Sequence, residues 1–145
     1  MWIDSNILNV SKLNNRYKIA ACYLNKASVN TAFPVEIVIE ITNHCNLSCI
    51  MCSRQSSTRT SGYMDLLLFK KIINQVKDYA ELVYLSGGIG EPLMHPDLHD
   101  MIEYCLENEV RVGVSTNATL LTAKITDLIL KNPPDILLLS LDGAT

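Results

Sequence analysis

The sequence predicts an α/β protein built on parallel strands, and three observations carry that prediction. From Val35 onward, four short apolar runs alternate with three segments of helical periodicity, giving β-α-β-α-β-α-β. The strand runs are near-continuous in β-branched and aliphatic residues, as parallel strands covered by helices are. The polar, glycine-rich and cysteine-rich segments all follow strands. They therefore collect at the carboxyl edge of the sheet, where ligands bind in open doubly wound sheets and in barrels alike.

Residues 1–34 read as an N-terminal helical extension and linker ahead of a domain over 35–145. "VSKLNNRYKIAACYL" places Val10, Leu13, Tyr17, Ala20, Ala21 and Leu24 at helical spacing, with Cys22 beside the stripe as a small packed residue. "NKASVNTAFP" is a linker that Pro34 closes. "VEIVIEI" (35–41) is the first strand, whose Glu36 and Glu40 are expected to be paired strand residues. A long polar loop follows. Asp65 then caps a helix carrying Phe69, Ile72, Ile73, Val76 and Ala80 on one face. "LVYLS" (82–86) is the second strand and "GGIGEPLM" its loop. Pro96 stands near a helix start, with Leu98, Met101, Ile102, Cys105 and Leu106 facing the core; His95 and His99 are expected on the solvated start of that helix. "VRVGVS" (110–115), a loop and helix stopped by Pro133 and Pro134, and "DILLLSL" (135–141) complete the series.

The sequence stops at "SLDGAT", directly after the fourth strand. A parallel sheet ending there exposes an edge and an apolar face. The expectation is the first part of a larger domain, or one whose core a partner chain completes.

Composition excludes several classes. The 145 residues are 48% hydrophobic and 19% charged, with a net charge of −3 and no basic run, so nothing points to a nucleic-acid partner. No apolar run approaches the ~20 residues that span a bilayer, and no signal peptide is visible at the start. The expected compartment is the reducing cytoplasm, where cysteines serve more often as ligands or catalysts than in disulfides. Their odd number, five, agrees.

Three of the five stand together in "HCNLSCIMC", as Cys45, Cys49 and Cys52 at spacing C-x3-C-x2-C. A structural zinc site takes four ligands, and His44 is the neighbour that could supply the fourth. A ferredoxin-type cluster takes four thiolates. Three thiolates on one loop suit three irons of a [4Fe–4S] cluster whose fourth iron stays open to a chelating ligand. The cluster is the favoured reading; zinc and an incidental grouping are its rivals.

"SGGIGEP" (86–92) follows the next strand. Its glycines permit positive φ and close approach of a ligand to the backbone, and Glu91 is placed to buttress the turn. A tight strand-to-helix turn is the alternative. "STN" (115–117) and "SLD" (140–142) bring hydroxyl, amide and carboxylate groups to the ends of strands three and four. Ser140 and Asp142 suit sugar hydroxyls, or else cap a following helix.

Taken in order, "CNLSCIMC", "GGIGEP", "STNATLL" and "LSLDG" resemble the radical S-adenosylmethionine (radical SAM) superfamily over roughly Pro34 to Gly143. The resemblance implies a partial (β/α)6 TIM-like barrel, of which this chain holds about the first four strands. It implies a [4Fe–4S] cluster on Cys45, Cys49 and Cys52, with S-adenosyl-L-methionine on the fourth iron. Reductive cleavage then yields a 5′-deoxyadenosyl radical that abstracts hydrogen from a substrate. Gly87, Gly88, Gly90 and Glu91 match the motif that holds the methionine amino group, and Ser140 and Asn117 match positions near the ribose. Met51 stands where an aromatic residue usually packs near the adenine. A reductant such as flavodoxin or ferredoxin is implied. "EITNHCNLSCIMCSR" is similar in style to SPASM-bearing members that modify peptides, so a peptide is the implied substrate class. The rival from another class is an iron–sulfur or zinc binding module that catalyses nothing.

Overall fold

The computed structural model describes residues 9–86 and 88–141. Four parallel strands form one sheet: β1 (Glu36–Val38), β2 (Leu82–Tyr84), β3 (Arg111–Thr116) and β4 (Ile136–Leu139). Their spatial order is their sequence order, β1-β2-β3-β4. Ile37 sits opposite Val83, Val83 opposite Val112, and Val114 opposite Leu137. A doubly wound sheet reverses its strand order at a switch point; these strands step one way throughout. With right-handed crossovers, that order puts every connecting helix on the same face, as in a barrel wall. This is the partial barrel that the motifs imply.

The connecting helices are α2 (Leu66–Val76), α3 (Leu98–Glu107) and α4 (Ala123–Lys131), preceded by α1 (Val10–Leu24). Their starts follow local chemistry. Asp65 accepts hydrogen bonds from the Leu67 and Leu68 amides, and Thr122 accepts from the Ile125 amide. The core lies between the sheet and the helices. Val83, Val112 and Val114 meet Phe69 and Ile73 of α2 and Met101, Ile102 and Cys105 of α3. Burial pushes the Cys105 thiol up to about 12, so this cysteine is packing material and not a ligand.

Four expectations are corrected. The apolar stripe of α1 is not a packing face: Val10, Leu13, Tyr17 and Leu24 are exposed, and the buried residue of the helix is Asn15. Its amide makes reciprocal hydrogen bonds with the backbone of Phe33, both 2.9 Å. Arg16 pairs with Glu81, and Lys12 donates to the Glu109 carbonyl at 2.7 Å. Polar clamps hold α1 to the barrel's amino-terminal end.

The first strand is shorter than its β-branched run. The paired register covers Glu36–Val38, and the Ile39 amide still donates to the Tyr84 carbonyl at 2.8 Å; beyond it the Met64 amide bonds to the Ile41 carbonyl at 2.7 Å, and Thr42 bridges antiparallel to Tyr63. The returning end of the cysteine loop takes over where β2 stops. The second helix ends at Val76, and Ala80 is buried beyond it.

His95 is buried, not solvated. Its Nδ1 accepts from the Asp97 amide at 3.1 Å, which leaves the proton on Nε2 to donate to the Met64 carbonyl at 3.0 Å. Both ring nitrogens are occupied.

Candidate metal centre

Every strand exit contributes to one cavity of about 460 Å³ at the carboxyl edge. Cys45, Leu47, Cys49 and Cys52 line it from the loop after β1, and Ser86, Gly88, Ile89, Gly90 and Glu91 from the loop after β2. Ser115, Thr116 and Asn117 come from the end of β3, and Ser140 from the end of β4. Residues more than 90 positions apart in the chain thus face one space because parallel strands all deliver their exits to one edge. Gly87 and Asp142 lie outside the described residues.

The cysteine loop is braced from within. The Cys52 amide bonds to the Cys49 carbonyl at 3.0 Å, closing a tight turn over Ile50 and Met51. The Gln55 amide donates to the carbonyls of Cys49 (2.9 Å) and Ser48 (3.2 Å), and the Arg54 guanidinium to that of Leu47. All three cysteines are free thiols; Cys45 and Cys52 are half-buried and Cys49 is exposed. The turn has a cost for one expectation. Ile50 and Met51 occupy its corners, so Met51 is 76% exposed and stands outside the cavity.

Glu91 is the keystone of the edge. It is 2% exposed, and its carboxylate accepts from the Leu93 amide (3.0 Å), the Thr116 hydroxyl (2.6 Å) and the Asn117 amide (2.8 Å). Its own amide donates to the His44 carbonyl at 2.7 Å. One residue therefore joins the cysteine loop, the glycine loop and the exit of β3. A buried carboxylate is tolerated when such donors surround it. Its oxygens are spent on the protein, which makes Glu91 a positioning residue.

The glycines answer to space and not to backbone conformation. Neither Gly88 nor Gly90 has a left-handed φ. A Cβ on Gly90 would lie 2.0 Å from the Thr42 carbonyl oxygen, and one on Gly88 1.8 Å from a Glu40 carboxylate oxygen. The loop after β2 lies directly against the exit of β1. Glu40, expected to be paired, bonds Arg59 at 2.6 Å.

The donor set suits an iron–sulfur cluster. Three thiols line one cavity, and thiolates are the ligands that iron–sulfur clusters take.

Among the described residues, the three cysteines, Gly88, Gly90, Glu91, Asn117 and Ser140 singled out in the sequence line this cavity, and Met51 does not. The linkage of Asn46, Thr119 and Asn117 was not foreseen. Asn117 donates to the Asn46 side chain at 3.0 Å, and Asn46 to the Thr119 hydroxyl at 2.8 Å. Nothing local marks such a pair, since 71 positions separate Asn46 from Asn117.

Comparison with known proteins gives a consistent result. A model of the Radical SAM superfamily matches residues 39–145. The chain is 38% identical over 107 residues to the tungsten-containing aldehyde ferredoxin oxidoreductase cofactor-modifying protein of Pyrococcus furiosus, covering 73% of this chain and 30% of that protein. It is 30% identical over 112 residues to mycofactocin maturase MftC of Mycobacterium tuberculosis, with 77% and 28% covered. Among solved structures, BtrN in complex with AdoMet and 2-DOIA aligns with a TM-score of 0.66 at 25% identity, over 78% of this chain and 48% of that one. SuiB of Streptococcus suis bound to precursor peptide SuiA aligns with a TM-score of 0.65 at 26% identity, over 97% and 32%. The chain spans less than a third of the length of these curated relatives.

Proposed function

Because the chain belongs to the radical SAM superfamily, we propose that its carboxyl-edge cavity holds a [4Fe–4S] cluster and S-adenosylmethionine, and that the protein of which it is part performs radical chemistry on a peptide. The cavity itself carries this reading: three thiols, the glycine loop and the ends of β3 and β4 line one space of about 460 Å³. Held there, such a cluster would supply one-electron reduction of the S-adenosylmethionine sulfonium, the chemistry from which hydrogen abstraction follows.

The chain's own residues bind and position. Cys45, Cys49 and Cys52 are the thiolate ligands, on a loop held in shape by Arg54 and Gln55. Gly87, Gly88 and Gly90 offer backbone to the methionine end of the cofactor, and Glu91 fixes that loop against the other two. Ser140 and Asn117 line the cavity; the Ser140 hydroxyl is the group offered to the ribose, since the Asn117 side chain is committed to Asn46, Thr119 and Cys45. Met51 contributes to the adenine only if the turn over it rearranges on loading.

The maturase relative and the peptide-bound SuiB structure support a peptide substrate. A small electron-transfer protein such as flavodoxin or ferredoxin would supply the electron. Residues 35–145 act as the amino-terminal portion of the radical SAM barrel and 1–34 as its extension. The exposed leucines of β4 mark where further β/α units would pack, from the same polypeptide or from a partner chain.

The deciding experiment measures iron, sulfide and the reduced EPR signal on anaerobically reconstituted protein. About four irons per chain are expected, lost in each of Cys45→Ala, Cys49→Ala and Cys52→Ala, with the signal altered by S-adenosylmethionine. Zinc in a colourless protein, or iron retained in all three variants, would overturn the assignment.

A further inference from the structure

Cys45 is set apart from the other two loop cysteines by what donates to its sulfur. Among the described residues, hydrogen bonds reach only its Sγ: the Leu47 amide at 3.5 Å and the Asn117 side-chain amide at 3.9 Å. The second comes from a distant strand end and is held by a closed ring of side chains.

The orientation of the Asn117 amide is fixed by its neighbours. A backbone N–H can only donate, and that of Thr119 points at one end of the amide, 3.0 Å away; that end is therefore Oδ1. The Thr119 hydroxyl donates to the same oxygen at 2.6 Å and accepts from Asn46 Nδ2 at 2.8 Å. Asn46 then offers its Oδ1 to Asn117 Nδ2 at 3.0 Å. Nδ2 carries two hydrogens, one for Asn46 and one directed at Cys45 Sγ. The assignments are mutually consistent: Asn117 Oδ1 accepts from both the Thr119 amide and the Thr119 hydroxyl, and both hydrogens of its Nδ2 are directed at partners. The Asn117 main chain is held separately, by Glu91, so the side chain is free to serve the sulfur.

We propose that Asn117, oriented by Asn46 and Thr119, is a positioning residue that donates an N–H···S hydrogen bond to Cys45 and thereby raises the reduction potential of the cluster this cysteine ligates. The inference rests on the assignment of Cys45 as a cluster ligand. The physical basis is that hydrogen bonds to ligand sulfurs are among the determinants of cluster potential. Such a donor stabilises the extra negative charge that reduction places on the cluster and its thiolates. The ring also ties the cysteine loop to β3, so the donor stays aimed at the sulfur.

The test is an EPR-monitored redox titration of the reconstituted full chain, without S-adenosylmethionine, on wild type, Asn117→Ala and Thr119→Ala. Asn117→Ala removes the donor, and Thr119→Ala leaves the donor but removes one anchor. The expected result is full iron content in all three with a lower midpoint potential in Asn117→Ala. About a tenfold fall in the reduced-to-oxidised ratio at fixed potential corresponds to about 59 mV for a one-electron couple. A smaller shift of the same sign is expected in Thr119→Ala. An unchanged potential in a fully loaded Asn117→Ala protein overturns the proposal, whatever that variant does to S-adenosylmethionine affinity. If Asn117→Ala fails to load, an unchanged potential in Thr119→Ala overturns it. A wild type that binds no cluster fails the assignment of the site itself, which is a different outcome.

Discussion

Cys105 and Cys45 show how far two residues of one type are separated by their surroundings. Cys105 recurs at helical spacing among Leu98, Met101 and Ile102, and its burial in the core was legible from that periodicity. Its thiol is raised from 9.0 to about 12 by burial alone. The folded state therefore keeps its proton where the unfolded chain has lost it. Stability from this group is intact below pH 9 and falls as pH rises from 9 towards 12. Urea melts across that range should show a decline that is smaller in Cys105→Ala, once each is referenced to its own stability at pH 8. Cys45, by contrast, stands in a short motif: one donor to its sulfur, the Leu47 amide, is local, and the other, the Asn117 side chain, comes from the fold.

Elements meet at Glu91. The glycine loop after β2, the exit of β3 and the cysteine loop after β1 are independent in sequence, and the Glu91 carboxylate and amide tie them together. Its role as a buttress was readable from the motif; its partners Thr116, Asn117 and His44 were not. In Glu91→Gln, one oxygen becomes an amide that must face an N–H or the Thr116 hydroxyl with a donor. A loss of about 1–3 kcal/mol in chemical denaturation is expected for the buried mismatch, together with slower cluster loading. The helices teach the converse lesson. Asp65, Phe69 and Ile73 of α2 behave as their spacing predicts, because the barrel wall covers that face. The stripe of α1 has the same kind of spacing and no wall beside it, so the helix packs through Asn15, Lys12 and Arg16. Periodicity reports what a helix offers; the neighbour decides whether the offer is taken.

At the scale of the molecule, the middle of the sheet is buried and its edges are open. Residues of β2 and β3 lie in the core, while Val38 of β1, Leu137, Leu138 and Leu139 of β4 and the following Leu141 are all exposed. Contiguous exposed apolar residues of this kind mark an interaction surface or an aggregation liability. Leu138→Lys is expected to reduce concentration-dependent association in light scattering while changing unfolding free energy by less than about 0.5 kcal/mol, as surface substitutions do. Among the described residues no helix is long and apolar enough to cross a membrane.

The order of strands and helices, the three thiols on one loop and the polar residues at each strand exit were determined by the sequence alone. Each is a local property, set by hydrophobic period, capping chemistry or spacing over a few residues. Only the tertiary structure decided that β1 yields to the returning cysteine loop after Ile39, that His95 is buried with both nitrogens bound, and that Met51 turns outward. It also decided that Asn46, Thr119 and Asn117 close a ring beside Cys45. The ring depends on which segments a parallel sheet brings to the same edge, and its contacts across 70 or more positions leave no trace in the short-range pattern of either partner.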